Sequence, residues 1–157
     1  SINISGPALQ SAGPLVSTDL FASQFPKSLF TFSMDEAGDL WLGSKGALTC
    51  YSRSATTVTR FPVPLPSPEL QPFPVLAGKD QNVWMGYGRY FACYNRLTGN
   101  FTFFDYPSEP ASYDYDFLQY IYSDGELLWL GSVNGVFCFN TKRLQFVSAA
   151  NGNSNWF

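Results

Sequence analysis

The sequence contains no histidine, and several kinds of active site depend on that residue. Without it there is no Ser-His-Asp triad, and the three cysteines have no imidazole that could activate them as nucleophiles. A zinc site is also disfavoured, because the cysteines do not occur in the closely spaced pairs that zinc sites use. We therefore expect no cofactor and no metal, and a non-catalytic protein.

Charged residues are scarce as well, at 13% of the chain, and the net charge is −3. A nucleic-acid partner would need a basic face, and a membrane surface would need a cluster of Lys and Arg. The apolar runs are too short to span a bilayer. We expect no nucleic-acid partner and no membrane insertion. Because the chain begins with Ser and not with Met, we interpret it as a processed or excised segment, so the missing signal peptide says nothing about its compartment.

What the chain does contain is aromatic residues, at 18%, together with 13 glycines and 11 prolines. Aromatic and β-branched residues favour strands, and glycine and proline favour the turns between strands. With 45% apolar residues, the 157-residue chain can bury a core as one domain. This composition predicts an all-β fold.

One motif occurs three times, as a Trp followed by Gly two positions later and by Cys nine positions later. The Trp residues are 43 and then 45 positions apart, and each copy lies among four short predicted strands. Such units are typical of β-propeller blades. We predict about three four-stranded antiparallel blades, which form part of a propeller or an open arc, or which a second chain completes. The motif residues, interpreted as packing between blades, are Trp41, Gly43, Cys50, Trp84, Gly86, Cys93, Trp129, Gly131 and Cys138.

The blades are predicted at residues 29–61, 73–104 and 117–147. The remaining segments are a lead-in or remnant of a preceding blade (1–28), a proline-rich connector (62–72), a second connector (105–116), and a tail or the start of a next blade (148–157). Because a single blade cannot bury both of its faces, we expect bare apolar edges at both ends of the array.

The first copy of the motif reads Asp-Glu-Ala-Gly-Asp-Leu-Trp-Leu-Gly-Ser from Asp35 to Ser44, and a glycine turn and a strand ending in Cys-Tyr follow it. This pattern resembles the repeat of the two-component regulator propeller family. The second copy departs from the family pattern, with Gln81 and Asn82 in place of the turn glycine and with Tyr87-Gly88-Arg89 in place of Thr-x-x-Gly.

The resemblance implies a fragment of the periplasmic sensor region of a hybrid two-component histidine kinase. In that family the propellers are sensing domains, and they occur most often in gut-type bacteria that respond to glycan fragments. The kinase and DNA-binding parts would lie outside this chain, which has neither a phosphoacceptor histidine nor a glycine-rich ATP-binding loop.

A ligand site is expected at one end of the blades, where the turns between second and third strands and the connectors emerge. Aromatic rings there would cover the apolar face of a sugar, and charged groups would hydrogen-bond its hydroxyls. The residues predicted to bind an oligosaccharide or similar small ligand are Tyr87, Arg89, Tyr113, Asp114, Tyr115 and Asp116.

Two other functions stay open at this point. The blades could serve assembly alone, with other blades of the parent chain or a second copy of the chain as partner. A glycosidase would need a pair of carboxylates, and Asp114 and Asp116 are a weak candidate because they are alternate residues of one connector. The Asp-box pattern of sialidase-like propellers is missed by one residue between Ser33 and Trp41.

Overall fold

The computed structural model describes residues 31–64, 70, 72–107, 118–132 and 135–147. These residues form twelve strands in three four-stranded antiparallel sheets. The predicted all-β fold of four-stranded blades is thereby confirmed. The described residues contain no helix with the length and apolar character that a membrane crossing requires.

Each sheet is a meander whose strands pair in sequence order. Blade 1 comprises β1 (Phe32–Met34), β2 (Leu40–Ser44), β3 (Ala47–Ser52) and β4 (Thr57–Pro62). Blade 2 comprises β5 (Val75–Ala77), β6 (Asn82–Tyr87), β7 (Tyr90–Asn95) and β8 (Asn100–Asp105). Blade 3 comprises β9 (Leu118–Asp124), β10 (Leu127–Ser132), β11 (Gly135–Asn140) and β12 (Gln145–Phe146).

The first strands of the three blades lie next to one another, because β1 contacts β5 and β5 contacts β9. The fourth strands are the opposite edges of their sheets. Pro62, predicted to belong to the connector, is the last residue of β4 and pairs with Ala47. A proline is tolerated there because an edge strand leaves one side of its backbone without a ladder.

The Trp residues of the first two motifs face the next blade. In the first interface, Trp41 and Cys50 of blade 1 pack with Val83 and Met85 of blade 2. In the second interface, the ring centroid of Trp84 lies 5.5 Å from that of Phe139 in blade 3. Both Trp41 and Trp84 are buried, so the motif supplies apolar area where one sheet covers the next.

The nine-residue spacing of Trp and Cys follows from the hairpin register. Cα pairing joins Trp41 to Cys50, Trp84 to Cys93 and Trp129 to Cys138. Paired residues of antiparallel strands have side chains on one face, so each thiol lies beside its indole. All three cysteines are free and buried. Burial raises the pKa of Cys50 and of Cys93 to about 12, which leaves both thiols protonated and unreactive at neutral pH.

The motif glycines differ in how tightly they are enclosed. A Cβ on Gly86 would lie 2.2 Å from the carbonyl oxygen of Phe73 and 3.1 Å from the Cβ of Leu118 in blade 3. A Cβ on Gly131 would have Tyr120 Cβ as its nearest neighbour, at 3.5 Å. Gly86 therefore permits the close approach both of the Phe73 backbone and of the next blade, whereas Gly131 lies on a face that is only partly covered.

This difference predicts opposite results for one substitution at two equivalent positions. Gly86→Ala should lower the free energy of unfolding by about 2–3 kcal/mol, because the methyl group collides with backbone that cannot move aside easily. Gly131→Ala should change it by less than about 1 kcal/mol. Urea unfolding of both variants and the wild type measures the difference, and equal effects would contradict the assigned packing.

Candidate functional site

A groove of about 410 Å³ lies where the first strands of the three blades meet. Its walls come from residues at the beginnings of β1, β5 and β9 and from the chain just before them. Because these strands start where the connectors arrive, the groove lies toward the connector end of the blades. The sequence shows these residues only as parts of separate strands, because their grouping depends on how the blades pack.

Two aromatic rings border this groove and remain open to solvent. Phe32 is 59% exposed and Tyr120 is 65% exposed, and Gln119 contributes an exposed amide between the apolar walls. Strands β1 and β5 of the groove are joined by a hydrogen bond of 2.9 Å from the Ala77 N–H to the Ser33 hydroxyl. Exposed rings can cover an apolar surface of a ligand while the amide beside them hydrogen-bonds its hydroxyl groups.

The two predicted binding residues at the β6–β7 turn differ in their exposure to solvent. The Tyr87 side chain is only 1% exposed, and burial raises the pKa of its hydroxyl. Arg89 is about half exposed, with its guanidinium 4.0 Å from the carboxylate of Asp105 and 5.4 Å from the centre of the Tyr90 ring. Arg89 is thus presented to solvent, whereas the Tyr87 ring is packed.

The other four predicted binding residues, Tyr113, Asp114, Tyr115 and Asp116, lie outside the described residues. Their role in binding stays a prediction. In the ranges that the structure describes, His, Cys, Asp and Glu side chains form no cluster of three that could hold a metal ion.

The opposite end of the blades carries a buried polar cluster between blades 1 and 2, which we call the Asp35 latch and which consists of Asp35, Trp41 and Arg96. One carboxylate oxygen of Asp35 accepts hydrogen bonds from the Trp41 indole, at 2.9 Å, and from Arg96. The other oxygen accepts from the backbone N–H groups of Ala37 and Asp39. Arg96 belongs to blade 2, so the latch ties one blade to the next.

Arg96 is held on both sides. It donates to the backbone oxygen of Asp80 at 2.6 Å, and its guanidinium lies 5.8 Å from the centre of the Trp41 ring. The Asp35 side chain is only 2% exposed. Burial alone would raise its pKa, but the hydrogen bonds from Trp41 and Asp39 and the charge of Arg96 together hold the pKa below its usual range. The carboxylate is therefore charged at neutral pH.

The latch was missed in the sequence, although a signal for it was present. Asp35 lies six positions before its Trp, where the second and third copies have Gly78 and Ser123. Arg96 lies three positions after its Cys, where the third copy has Thr141. A comparison of the turns between copies, rather than of the motif alone, singles out these positions.

Removing the buried charge of Asp35 should destabilise the fold more than removing an exposed charge. We expect Asp35→Asn to lower the free energy of unfolding at pH 7 by about 2–3 kcal/mol, because Arg96 then lacks its buried counterion. The matched control is Glu126→Gln in the exposed Glu126–Lys142 pair, which should cost at most about 0.5 kcal/mol. Chemical unfolding measures both, and equal losses would exclude a special role of the latch.

The same variant predicts a pH dependence. Because the folded pKa of Asp35 lies below the unfolded value of about 3.9, its stabilisation is complete above that pH and is lost as the pH falls through the folded pKa. The stability difference between wild type and Asp35→Asn should therefore shrink below about pH 4. A difference that stays constant between pH 7 and pH 3 would contradict the lowered pKa.

No protein-family model matches the sequence, and no curated protein sequence resembles it significantly. Solved structures match it in fold. The extracellular domain of the hybrid two-component system BT4673 from B. thetaiotaomicron has a TM-score of 0.64 and 20% identity, over 78% of this chain and 17% of that one. The corresponding domain of BT3049 has a TM-score of 0.60 and 17% identity, over 80% and 18%.

The computationally designed Ika4 protein also matches, with a TM-score of 0.60 and 9% identity over 83% of this chain and 77% of that one. The chain spans less than a fifth of the two natural extracellular domains. Those two domains agree with the family that the repeat resembles. What the likenesses establish is the fold, a set of four-stranded blades that forms part of a propeller.

Proposed function

We propose that the chain is a non-catalytic, ligand-sensing part of the propeller of a two-component sensor, located in the periplasm. The observation that carries the proposal is the shared blade fold with the extracellular domains of two such systems. The motif that resembles the two-component regulator propeller repeat supports it independently, because that motif was recognised from the residues alone. The signalling output would belong to other parts of the parent protein.

For the ligand, we propose an oligosaccharide or a similar small molecule, bound at the connector end. The groove between the first strands has the exposed rings of Phe32 and Tyr120 at its border and the amide of Gln119 beside them. Rings cover the apolar face of a sugar, and an amide both donates to and accepts from hydroxyl groups. The connector residues 113–116 are separated from β9 by one residue of the sequence, and their part in binding stays a prediction.

Arg89 would add the specificity for charge. Its pairing with Asp105 is exposed and long, so the guanidinium can exchange that partner for a carboxylate of an acidic sugar. Tyr87, whose ring is buried, would support the turn that presents Arg89 rather than stack on the sugar.

A panel of neutral and acidic oligosaccharides, titrated calorimetrically into the chain, tests this proposal. Phe32→Ala should weaken binding of any oligosaccharide that binds by about tenfold, because a stacking ring contributes about 1 kcal/mol or slightly more. Arg89→Ala should weaken only the acidic ones. The matched control is Leu97→Ala, which removes an exposed apolar side chain in the β7–β8 turn at the other end.

Binding that is lost equally in Phe32→Ala and Leu97→Ala would place the ligand elsewhere. Absence of binding to every member of the panel would contradict oligosaccharide recognition by this chain.

A second candidate function is assembly through the outer face of blade 3. Trp129 is only partly buried there, and Tyr120, Tyr122 and Val136 are exposed on the same face. In blades 1 and 2 the equivalent face is covered by the following blade. On the opposite side of the array, the outer face of blade 1 exposes Met34. That face corresponds to the face of blade 2 on which Val83 is buried. We propose a further propeller blade as the occupant, and a second copy of the chain can supply one.

Multi-angle light scattering over a range of concentrations tests the assembly. We expect association that increases with concentration and that Tyr122→Lys abolishes, because a lysine charge cannot be buried between blades without a partner. Leu97→Lys introduces the same charge at an exposed turn and should leave association unchanged. A chain that remains monomeric throughout the range would exclude the second copy as the occupant.

A further inference from the structure

The two outer faces of the blade array lack the cover that the inner faces have. On the outer face of blade 3, Trp129 is only partly buried, whereas its counterparts in blades 1 and 2 are buried. On the outer face of blade 1, Leu40 is only partly buried, whereas Val83 and Leu128, which also precede their Trp, are 0% and 2% exposed. Among the described residues, blade 1 thus lacks a preceding blade and blade 3 lacks a following one.

Asp124 of blade 3 occupies the place that Asp35 has in blade 1. In each blade the residue before the Trp has a ladder partner on the first strand, and the residue after that partner is Asp35 in blade 1, Gly78 in blade 2 and Asp124 in blade 3. The turn of blade 3 is one residue shorter, so counting back from the Trp gives Ser123 instead. Alternation along β9 places Asp124 on the same face as Tyr122, which is the outer face of blade 3.

Arg53 of blade 1 occupies the place that Arg96 has in blade 2. Both residues lie three positions after the motif Cys, directly after the third strand. Arg96 extends over the first turn of its own blade and donates there to the carbonyl oxygen of Asp80, at 2.6 Å. The Arg53 side chain also lies over the first turn of its own blade, with its Cδ 3.5 Å from the place where a Cβ on Gly38 would be. Because Arg96 reaches back to blade 1 from this place, the same direction carries Arg53 to the outer face of blade 1.

These two charges have no counterpart among the described residues. Asp124 and Arg53 are exposed, and neither side chain forms an ion pair or a hydrogen bond with another described residue. The interface between blades 2 and 3 lacks both members of the latch, with Gly78 and Thr141 in their places. At the inner interfaces the pair is therefore either complete or absent, and the two remaining members lie on the two outer faces, one of each sign.

We propose that two copies of this chain close a six-bladed ring in which Asp124 of each copy pairs with Arg53 of the other. The inference rests on the assembly proposed above for the outer face of blade 3, and it commits to a second copy as the occupant. Blade 3 of one copy is followed by blade 1 of the other, so Arg53 reaches the Asp124 carboxylate as Arg96 reaches that of Asp35.

The number of blades and the kind of contact both suit a closed ring. Three described blades from each of two copies give six, within the roughly four to eight blades typical of closed propellers. A contact between two different faces closes into a ring when its rotation fits, and the two identical contacts of such a ring cover both outer faces of each copy.

Two charge reversals test the pairing by multi-angle light scattering. Arg53→Asp leaves a copy with two carboxylates at its contacts, and Asp124→Arg leaves a copy with two guanidinium groups. Each variant alone should raise the dimer dissociation constant at least about thirtyfold, because like charges then face each other between the blades. An equimolar mixture of the two variants should restore the dimer, because each contact of the mixed ring again joins a carboxylate to a guanidinium.

The matched control is Arg60→Asp, which makes the same charge reversal on the exposed strand β4. Arg60 donates to the Lys45 carbonyl in the β2–β3 turn, at the opposite end of the blade from Arg53. This control should dimerise like the wild type and should not rescue Asp124→Arg on mixing. The double variant with Arg53→Asp and Asp124→Arg in one chain should form the ring by itself, which provides a second test if a single variant does not fold.

The outcomes separate the pairing from the assembly itself. A wild-type chain that stays monomeric at every concentration excludes the second copy and overturns both. If the wild type dimerises and Tyr122→Lys abolishes the dimer, but the charge reversals dimerise unchanged or their mixture does not recover, the outer faces associate without the Asp124–Arg53 pair and only this inference fails. A mass that rises past that of two copies with concentration would show an open chain of copies and overturn the closed ring.

Discussion

The whole structure depends on the covering of one sheet face by the next. A four-stranded sheet with apolar residues on both faces cannot be stable by itself in water, because each uncovered face keeps its aromatic and aliphatic side chains hydrated. Trp41 and Trp84 are buried since a following blade covers them, whereas Trp129, identical in its motif, is only partly buried. The environment of a motif residue is therefore set by the neighbouring blade and not by the blade that contains it.

Within each repeat, the residues at the centre of the sheet stay the same and the turns vary. The paired Trp and Cys sit at the centre of the sheet, where they must fit the next blade, and they recur in all three copies. The turns project beyond the sheets and are free to differ. One such difference makes the first interface an ion-paired contact through Asp35 and Arg96, and the second a cavity beside Trp84. The same backbone thus carries an ion-paired contact at one interface and an open space at the next.

The sequence predicted the blades because periodicity and turn residues are local signals. The alternation of β2 and the Gly46 turn can be read without knowledge of any neighbour. The groove beside Phe32 and Gln119 could not be predicted in this way, because its walls come from three strands that are far apart in the chain. Tyr87 shows the same limit. Its position beside the β6–β7 turn predicted exposure, but packing around that turn buries its ring.

By itself, the sequence determined the three four-stranded units of the described residues, the turns within them and the burial of the free thiols. These follow from spacing within one unit of the repeat. Only the tertiary structure decided which glycine is essential for packing, which carboxylate is buried and charged, and where cavities remain. Those properties depend on what the adjacent blade places against a residue, and residues of adjacent blades are separated by roughly one whole repeat in the chain. Gly86 and Gly131 have the same motif and the same strand position, and they differ because the Phe73 carbonyl and Leu118 of blade 3 both lie against Gly86, whereas the nearest neighbour of Gly131 is Tyr120 at 3.5 Å.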